Sequence, residues 1–383
     1  MKRLCILAAS AALAVAATSA LADIKVGVTV SATGPAASLG ITERNVFEFV
    51  PRKIGDEDVT IIILDDGSDP TAAVRNARKF TNEDKVDLII GSTTTPASIA
   101  VTQVAAETKT PMFAMGAGAA IVNPMDDAKR WAFKAVHNDS LMVEAIVGNM
   151  VARGVKTVGY IGFADATGEG YWKALQPLLE KNGIKVVANE TYARTDTSVA
   201  AQALRIVASK PDAVFIAAFG SPAALPQTTL AERGYTGQIY QTHGVANQDF
   251  LRLSGASAEG TILPVGPLLV AEQLGDDSPV KATAMKVWQD YGDKFGADTR
   301  NTFIANAYDA YLIFAAAAPK ALETAKPGTP EFRAALRDAI EATKGFAGSN
   351  GVYTLSPEDH VGLGLDSVQM VTVSGGKWKV LAD

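Results

Sequence analysis

Short apolar runs alternate along the chain with longer stretches in which apolar positions recur every three or four residues. The runs IKVGVTV (24–30), VTIIILDD (59–66), VDLIIG (86–91) and PMFAMG (111–116) predict strands. Helical periodicity fills the intervals, to about residue 51, from 70 to about 84, and over 96–109. Continuous apolar strands separated by helices belong to a parallel sheet covered on both faces. The rhythm restarts with VKTVGYIG (155–162), IKVVANE (184–190), DAVFIAAF (212–219) and QIYQT (238–242). Helices are expected from Gly168, from Thr197 after a cap at Asp196, and near Pro222. Two runs of strand–helix units predict an α/β fold of two doubly wound parallel-sheet lobes. Residues 278–344 read as mostly helical. GVYTL, DSVQMVTV and KWKVL then return to strands around the Gly375-Gly376 turn. These late strands must complete one lobe or the other, so the chain crosses between lobes more than once, as in a hinged clamp.

Residues 1–22 are set apart from this pattern. Lys2 and Arg3 precede an apolar run, and Ala20-Leu21-Ala22 offers small residues for cleavage. This predicts a secretory signal peptide removed after Ala22. The apolar run is shorter than the roughly 20 residues that span a bilayer. The single cysteine, Cys5, lies at the start of that run, not at the cleavage point where a lipid-modified cysteine would sit. The exported chain is thus expected to be soluble, cysteine-free and stabilised by its core alone.

The formal net charge of −6 becomes −8 once Lys2 and Arg3 leave, and no basic block occurs. That argues against nucleic acid or an anionic membrane as partner. Enzyme signatures are incomplete. GAGAAI carries Gly116 and Gly118 but has Ile121 in place of the third glycine of a dinucleotide fingerprint. GASAE around Ser257 lacks the closing glycine of a nucleophile elbow. His137, His243 and His360 are widely separated, and no cofactor or metal is expected. Asp65-Asp66 and Asp126-Asp127 read as caps or solvated turns.

The stretch GSTTTP (91–96) holds more hydroxyls than a helix start needs. Thr95 before Pro96 suffices as a cap. Ser92, Thr93 and Thr94 are surplus. Loops after strand C-termini line the ligand crevice of such sheets, and a helix N-terminus there suits an anion. Capping alone and capping plus anion binding are the two readings.

The order and spacing of IKVGVTVSATGPAASLG, ILDDGSDPTAAVRNARKF, DLIIGSTTTPASIAVTQVAAETKTPMF, GYIGFADATGEGYWKAL and YARTDTSVAAQALRIVASKPDAVFIAAFG sharpen this. Over its whole exported length the chain resembles periplasmic solute-binding proteins of ABC importers, of the branched-chain amino-acid (Leu/Ile/Val, class I) type. The resemblance implies a Venus-flytrap clamp with three crossovers, no catalysis, and delivery of a small ligand to a membrane permease. It places lobe one at 23–138 plus 266–346 and lobe two at 139–265 plus 347–383. The crossings are expected at 137–139, 264–267 and about 346–351, where the rhythm breaks and Pro or Gly is frequent. A periplasmic, monomeric protein is expected.

Transferred onto this sequence, the resemblance implies that Thr93, Thr94 and Thr95 grip a ligand carboxylate and that Ala117 and Gly118 line the second loop of the same lobe. Leu39 stands where an aromatic ring often follows the Gly-Pro turn, and Ala119 where a hydroxyl is usual. In lobe two, Thr167 replaces a usual aromatic residue, and Phe219 keeps one. Amino-acid binders of this type place an acid in the loop that here reads QTHGVAN, and this chain has His243 there. A ligand ammonium would lose its ion pair, unless Glu169 replaces it. Losing a buried charge partner costs roughly 3–5 kcal/mol. The expected ligand is therefore a carboxylate without an ammonium, such as an aromatic acid. Aliphatic oxo- or hydroxy-acids and an amino acid remain as alternatives. A periplasmic sensor feeding a receptor kinase or chemoreceptor would share the fold, and a secreted enzyme would show turnover.

Overall fold

The computed structural model describes residues 23–381; the expected cleavage site and Cys5 lie outside the described residues. The first sheet contains β1 (Ile24–Val30), β2 (Lys53–Ile54), β3 (Glu57–Asp65), β4 (Leu88–Ile90), β5 (Met112–Ala114) and β6 (Ala132–Lys134). Its order is β2-β3-β1-β4-β5-β6. The pairs from β3 to β6 are parallel, and β2 hangs antiparallel on β3. The second sheet contains β7 (Thr157–Phe163), β8 (Lys185–Tyr192), β9 (Ala213–Ala217), β10 (Gln238–Gln241) and β11 (Ile262–Val265). Beyond a small hairpin of β12 (Phe346–Ala347) and β13 (Val352–Tyr353), β14 (Gln369–Ser374) and β15 (Lys377–Val380) join that sheet. Its order is β15-β14-β11-β10-β9-β7-β8, with the last two strands of the chain antiparallel.

Helices α1 (Ala37–Val46), α2 (Pro70–Lys79) and α3 (Thr95–Thr108) wrap the first sheet, and α4 (Asp139–Ala152), α5 (Ala166–Lys181), α6 (Ala200–Ser209), α7 (Ala224–Glu232) and α8 (Gln248–Ser254) wrap the second. The chain then returns through α9 (Lys281–Phe295), α10 (Phe303–Leu322) and α11 (Pro330–Glu341). α2 starts where the sequence says it should: Pro70 opens it, and Asp69 accepts from the Ala72 N–H. α6 starts later than expected. Asp196 turns back to the Ala193 N–H, so the helix begins at Ala200 without it.

Two strands escape the apolar pattern. β6 is three residues long and contains Lys134, and β11 contains Pro264. Pro264 is tolerated because β11 borders the antiparallel part of the sheet, opposite Met370.

β6 lies in the first sheet and β7 to β11 in the second, so the chain changes sheets between Lys134 and Thr157. The third expected crossing comes later than residue 347. Tyr353 still bonds the Ala135 carbonyl and Asp309, and His360 stacks on Phe133 while bonding Glu341 of α11. Val361 is buried among residues of α2, α3 and β5. The chain leaves the first lobe between Val361 and β14. The crossings pack together: His137 Nε2 meets Ser367 Oγ at 2.9 Å, and a Cβ on Gly266 would overlap the Asn350 amide.

Candidate ligand-binding cleft

In each lobe the strand order reverses at the first strand, since β3 and β4 flank β1 while β8 and β9 flank β7. Ligands of open α/β sheets bind outside the carboxyl ends of strands at such reversal points. The loops after β4 and β9 carry GSTTTP and Phe219, and the helices that follow β1 and β7 carry Leu39 and Thr167 in their first turns.

The loop after β4 resolves the surplus of hydroxyls. Gly91 starts it at φ +128°, where any Cβ would lie 2.0 Å from the Thr29 carbonyl oxygen. Ser92 Oγ donates to Asp66 at 2.7 Å. Thr93 Oγ1 accepts the Ser31 N–H at 3.0 Å and lies 2.5 Å from Glu43 Oε2. Thr95 Oγ1 accepts the Gly118 N–H at 3.1 Å. Thr94 Oγ1 is buried and has no partner. Thr94, not Thr95, is the residue at the cap position of α3, and its side chain makes no cap bond. The expected Thr95 cap is thus corrected: Thr95 already lies in the first turn and reaches across to the loop after β5.

Beneath this loop, Asp66 accepts hydrogen bonds from Thr29, Ser31 and Ser92 hydroxyls and the Ser68 N–H, and only 2% of it is exposed. The reading of Asp66 as a solvated turn fails, because three inward hydroxyls converge on it. Asp65 is the exposed member of the pair, accepting from Thr33 and Gly67.

In the second lobe, Asp165 caps α5 by accepting from the Thr167 N–H at 2.7 Å and pairs with Arg194 Nε at 2.5 Å. The Phe219 ring packs edge-on to Phe163, with centroids 5.0 Å apart. Thr242 Oγ1 donates to the Ala218 carbonyl and accepts from the Gly244 N–H, fixing the turn that presents His243. His243 is buried, and its Nδ1 lies 3.5 Å from the Tyr171 hydroxyl. Burial, helped by the charge of Lys134, pushes His243 down to about 4, so it is neutral at ordinary pH and can donate or accept a hydrogen bond.

These groups meet around one cavity between the lobes, about 30 Å³ in volume. That is room for one or two waters. Leu39, Thr93, Thr94, Thr95 and Ala117 line it from the first lobe, and Thr167, Phe219 and His243 from the second. Gly118 is not in the lining. Its N–H is taken by Thr95, and its carbonyl faces Lys134 Nζ at 3.3 Å. Glu169 is exposed on the outer side of α5 and does not reach the cavity. Six further lining residues are Met115, Tyr171, Thr242, Gly244, Phe303 and Asn306. Thr242 and Gly244 flank His243, and Met115 lies two positions before Ala117, so slightly wider loops would have found all three. Tyr171 lies one turn beyond Thr167 on α5. Phe303 and Asn306 come from α10, whose uniform helical pattern carries no local signal.

Among the described residues no Asp, Glu, Lys or Arg lines the cavity. Charges sit one layer back. Lys134 Nζ bonds the Ala117 carbonyl and Asn138 Oδ1, each at 2.5 Å, and burial lowers it to about 7 against the opposing pull of Asp139. Asp139 in turn accepts the Ala119 N–H at 2.9 Å, so the start of α4 in the second lobe holds a loop of the first. Among the described residues no cluster of metal-ligating side chains is present.

The family pattern described as periplasmic binding protein matches residues 23–377. The chain belongs to that family. A "Leu/Ile/Val-binding protein homolog 3" from Brucella melitensis is 23% identical over 64% of this chain and 68% of its own length. The crystal structure of an extracellular ligand-binding receptor from Rhodopseudomonas palustris HaA2 is 45% identical, covers 94% of this chain and 100% of its own, and superposes with a TM-score of 0.92. A solute-binding protein of an ABC transporter from R. palustris, solved in complex with benzoate, shares the fold at 20% identity and a TM-score of 0.80, covering 94% of this chain and 96% of its own. Proteins of this family bind small molecules and deliver them to ABC permeases, and they work in the periplasm. No helix among the described residues is long and apolar enough to cross a membrane.

Proposed function

We propose that the cleft binds a small monocarboxylate with an apolar, ring-sized body and no ammonium group, and that this monomeric receptor hands it to an importer. The observation that carries this reading is the pairing of an uncharged lining with one orphaned donor: Thr94 Oγ1, buried and unpartnered at the start of α3. A carboxylate would satisfy that hydroxyl and the free N–H groups of the first turn. An ammonium would enter a closed site with no carboxylate in its wall. Leu39, Met115, Phe219, Tyr171 and Phe303 supply apolar surface for a ring. Neutral His243 and Tyr171 suit a hydroxyl at the far end.

The Leu/Ile/Val names of relatives favour a second reading, an aliphatic amino acid. The test is a thermal-shift and calorimetric comparison of benzoate, 4-hydroxybenzoate and 3-phenylpropanoate with leucine and isoleucine. Under the proposal the acids stabilise the protein, by about 2.7 kcal/mol at a hundredfold excess over Kd, and the amino acids do not. Tight leucine binding with indifference to the acids would reverse the assignment.

A further inference from the structure

Glu43 lies on α1 with no exposed surface, directly behind the ligand-facing side of the Thr93 loop. Its Oε2 is 2.5 Å from Thr93 Oγ1, and its Oε1 is buried without a partner. Four elements close around it: the loop after β4 with Thr93, the loop after β1 with Ser31, the end of β3 with Asp66, and α10 with Asn306. Arg44 and Glu48 on its own helix are exposed. The charge that bears on Glu43 is that of Asp66, and it is negative. A buried carboxyl beside a like charge, with no cation facing it, favours its neutral form. Burial lifts Glu43 to about 8.

The Thr93 hydroxyl has one proton and two lone pairs. One lone pair is spent on the Ser31 N–H. Its remaining bond is to Glu43, and the direction of that bond decides what Thr93 offers the cleft. We propose that Glu43 is a positioning residue that donates its own proton to Thr93 Oγ1, leaving the Thr93 O–H free to donate to the ligand carboxylate. This rests on the carboxylate reading of the cleft. When Glu43 ionises, the Thr93 proton turns back to it. The cleft then loses a donor and gains a negative charge one side chain away from the anion. Binding a carboxylate to that form returns a proton from solvent to Glu43, so ligand binding and proton uptake are linked.

The experiment measures Kd by calorimetry for benzoate and 3-phenylpropanoate, from about pH 6 to about pH 9.5, on the wild type and Glu43→Gln. Both ligands stay ionised throughout that range, and His243 stays neutral. Lys134, lowered to about 7, contributes a lower step common to both proteins. Above about pH 8 the wild-type affinity is expected to fall toward tenfold per pH unit, the limit for one linked proton. Repeating the titration in two buffers of different ionisation enthalpy should show uptake approaching one proton. Glu43→Gln keeps a donor toward Thr93 but cannot ionise, so it should lose the upper slope. A flat wild-type profile above pH 8, or the same slope in Glu43→Gln, overturns the inference while leaving the carboxylate reading intact. Failure of both acids to bind at any pH overturns the reading and the inference with it. Should Glu43→Gln not fold, proton uptake is measured on Lys134→Gln, and uptake above pH 8 that disappears with Lys134 overturns the inference.

Discussion

The Arg194 guanidinium lies 4.6 Å from the centre of the Phe219 ring. The same group bonds Asp165 and reaches Thr167 Oγ1 at 3.3 Å. One arginine outside the cavity therefore fixes two of its walls, the ring and the first turn of α5. Phe219→Ala should lower affinity for an aromatic acid at least tenfold, since burying such a ring against a ligand is worth about 1.5–3 kcal/mol. Arg194→Ala should cost about two- to tenfold through the loss of cation–π support. Calorimetry with 3-phenylpropanoate separates the two, and unchanged binding in Phe219→Ala would remove the ring from the site.

Thr94→Val and Thr95→Val should behave differently. The Thr94 hydroxyl has no partner among the described residues, so valine leaves folding stability unchanged or raised. Ligand affinity should still drop tenfold or more, because a hydrogen bond to a charged group is worth about 1.5–3 kcal/mol. Thr95→Val orphans the Gly118 N–H and should cost about 1–3 kcal/mol of stability. Thermal melts without ligand, followed by titration, distinguish them.

His243→Glu places a carboxylate in an otherwise uncharged wall. Benzoate binding should weaken more than tenfold through repulsion in the closed cleft. Leucine or isoleucine should gain measurable affinity, because the new charge faces the ligand's far end. A thermal-shift panel of acids and amino acids on both proteins reads both effects.

Stability should respond to pH through Glu43. Burial raises this carboxyl from 4.5 to about 8, so the native state keeps a proton that the unfolded chain has released. The contribution is complete below the unfolded value of 4.5 and is lost as pH rises through 8. Glu43→Gln cannot lose that proton. It should melt above the wild type at pH 8, with the gap closing toward pH 4, and calorimetric melts across that range check the sign.

Much of this architecture is written in local pattern. β1 and β7 are apolar runs that fold as buried strands, β3 is a half-buried one, and Asp69-Pro70 announces α2. β6 and β11 were hidden because a buried lysine and a proline interrupt their apolar character. Lys134 is tolerated only because carbonyls from another loop surround its ammonium, which no local window shows. The threonine loop was legible as a site, but the division of labour within it was not. Which hydroxyl is left unpartnered depends on Asp66, Glu43 and Gly118, supplied by three other elements. Asn306 and Phe303 belong to the cavity solely because α10 returns to the first lobe after the chain has built most of the second.

The register of β11 with β14 pairs Ile262 with Thr372. Until that pairing forms, β11 presents an open edge, and the sheet lacks its last two strands. Contacts between positions so far apart in sequence form late and slowly. The second sheet is therefore complete only once the last strands of the chain have been made and have folded back onto β11.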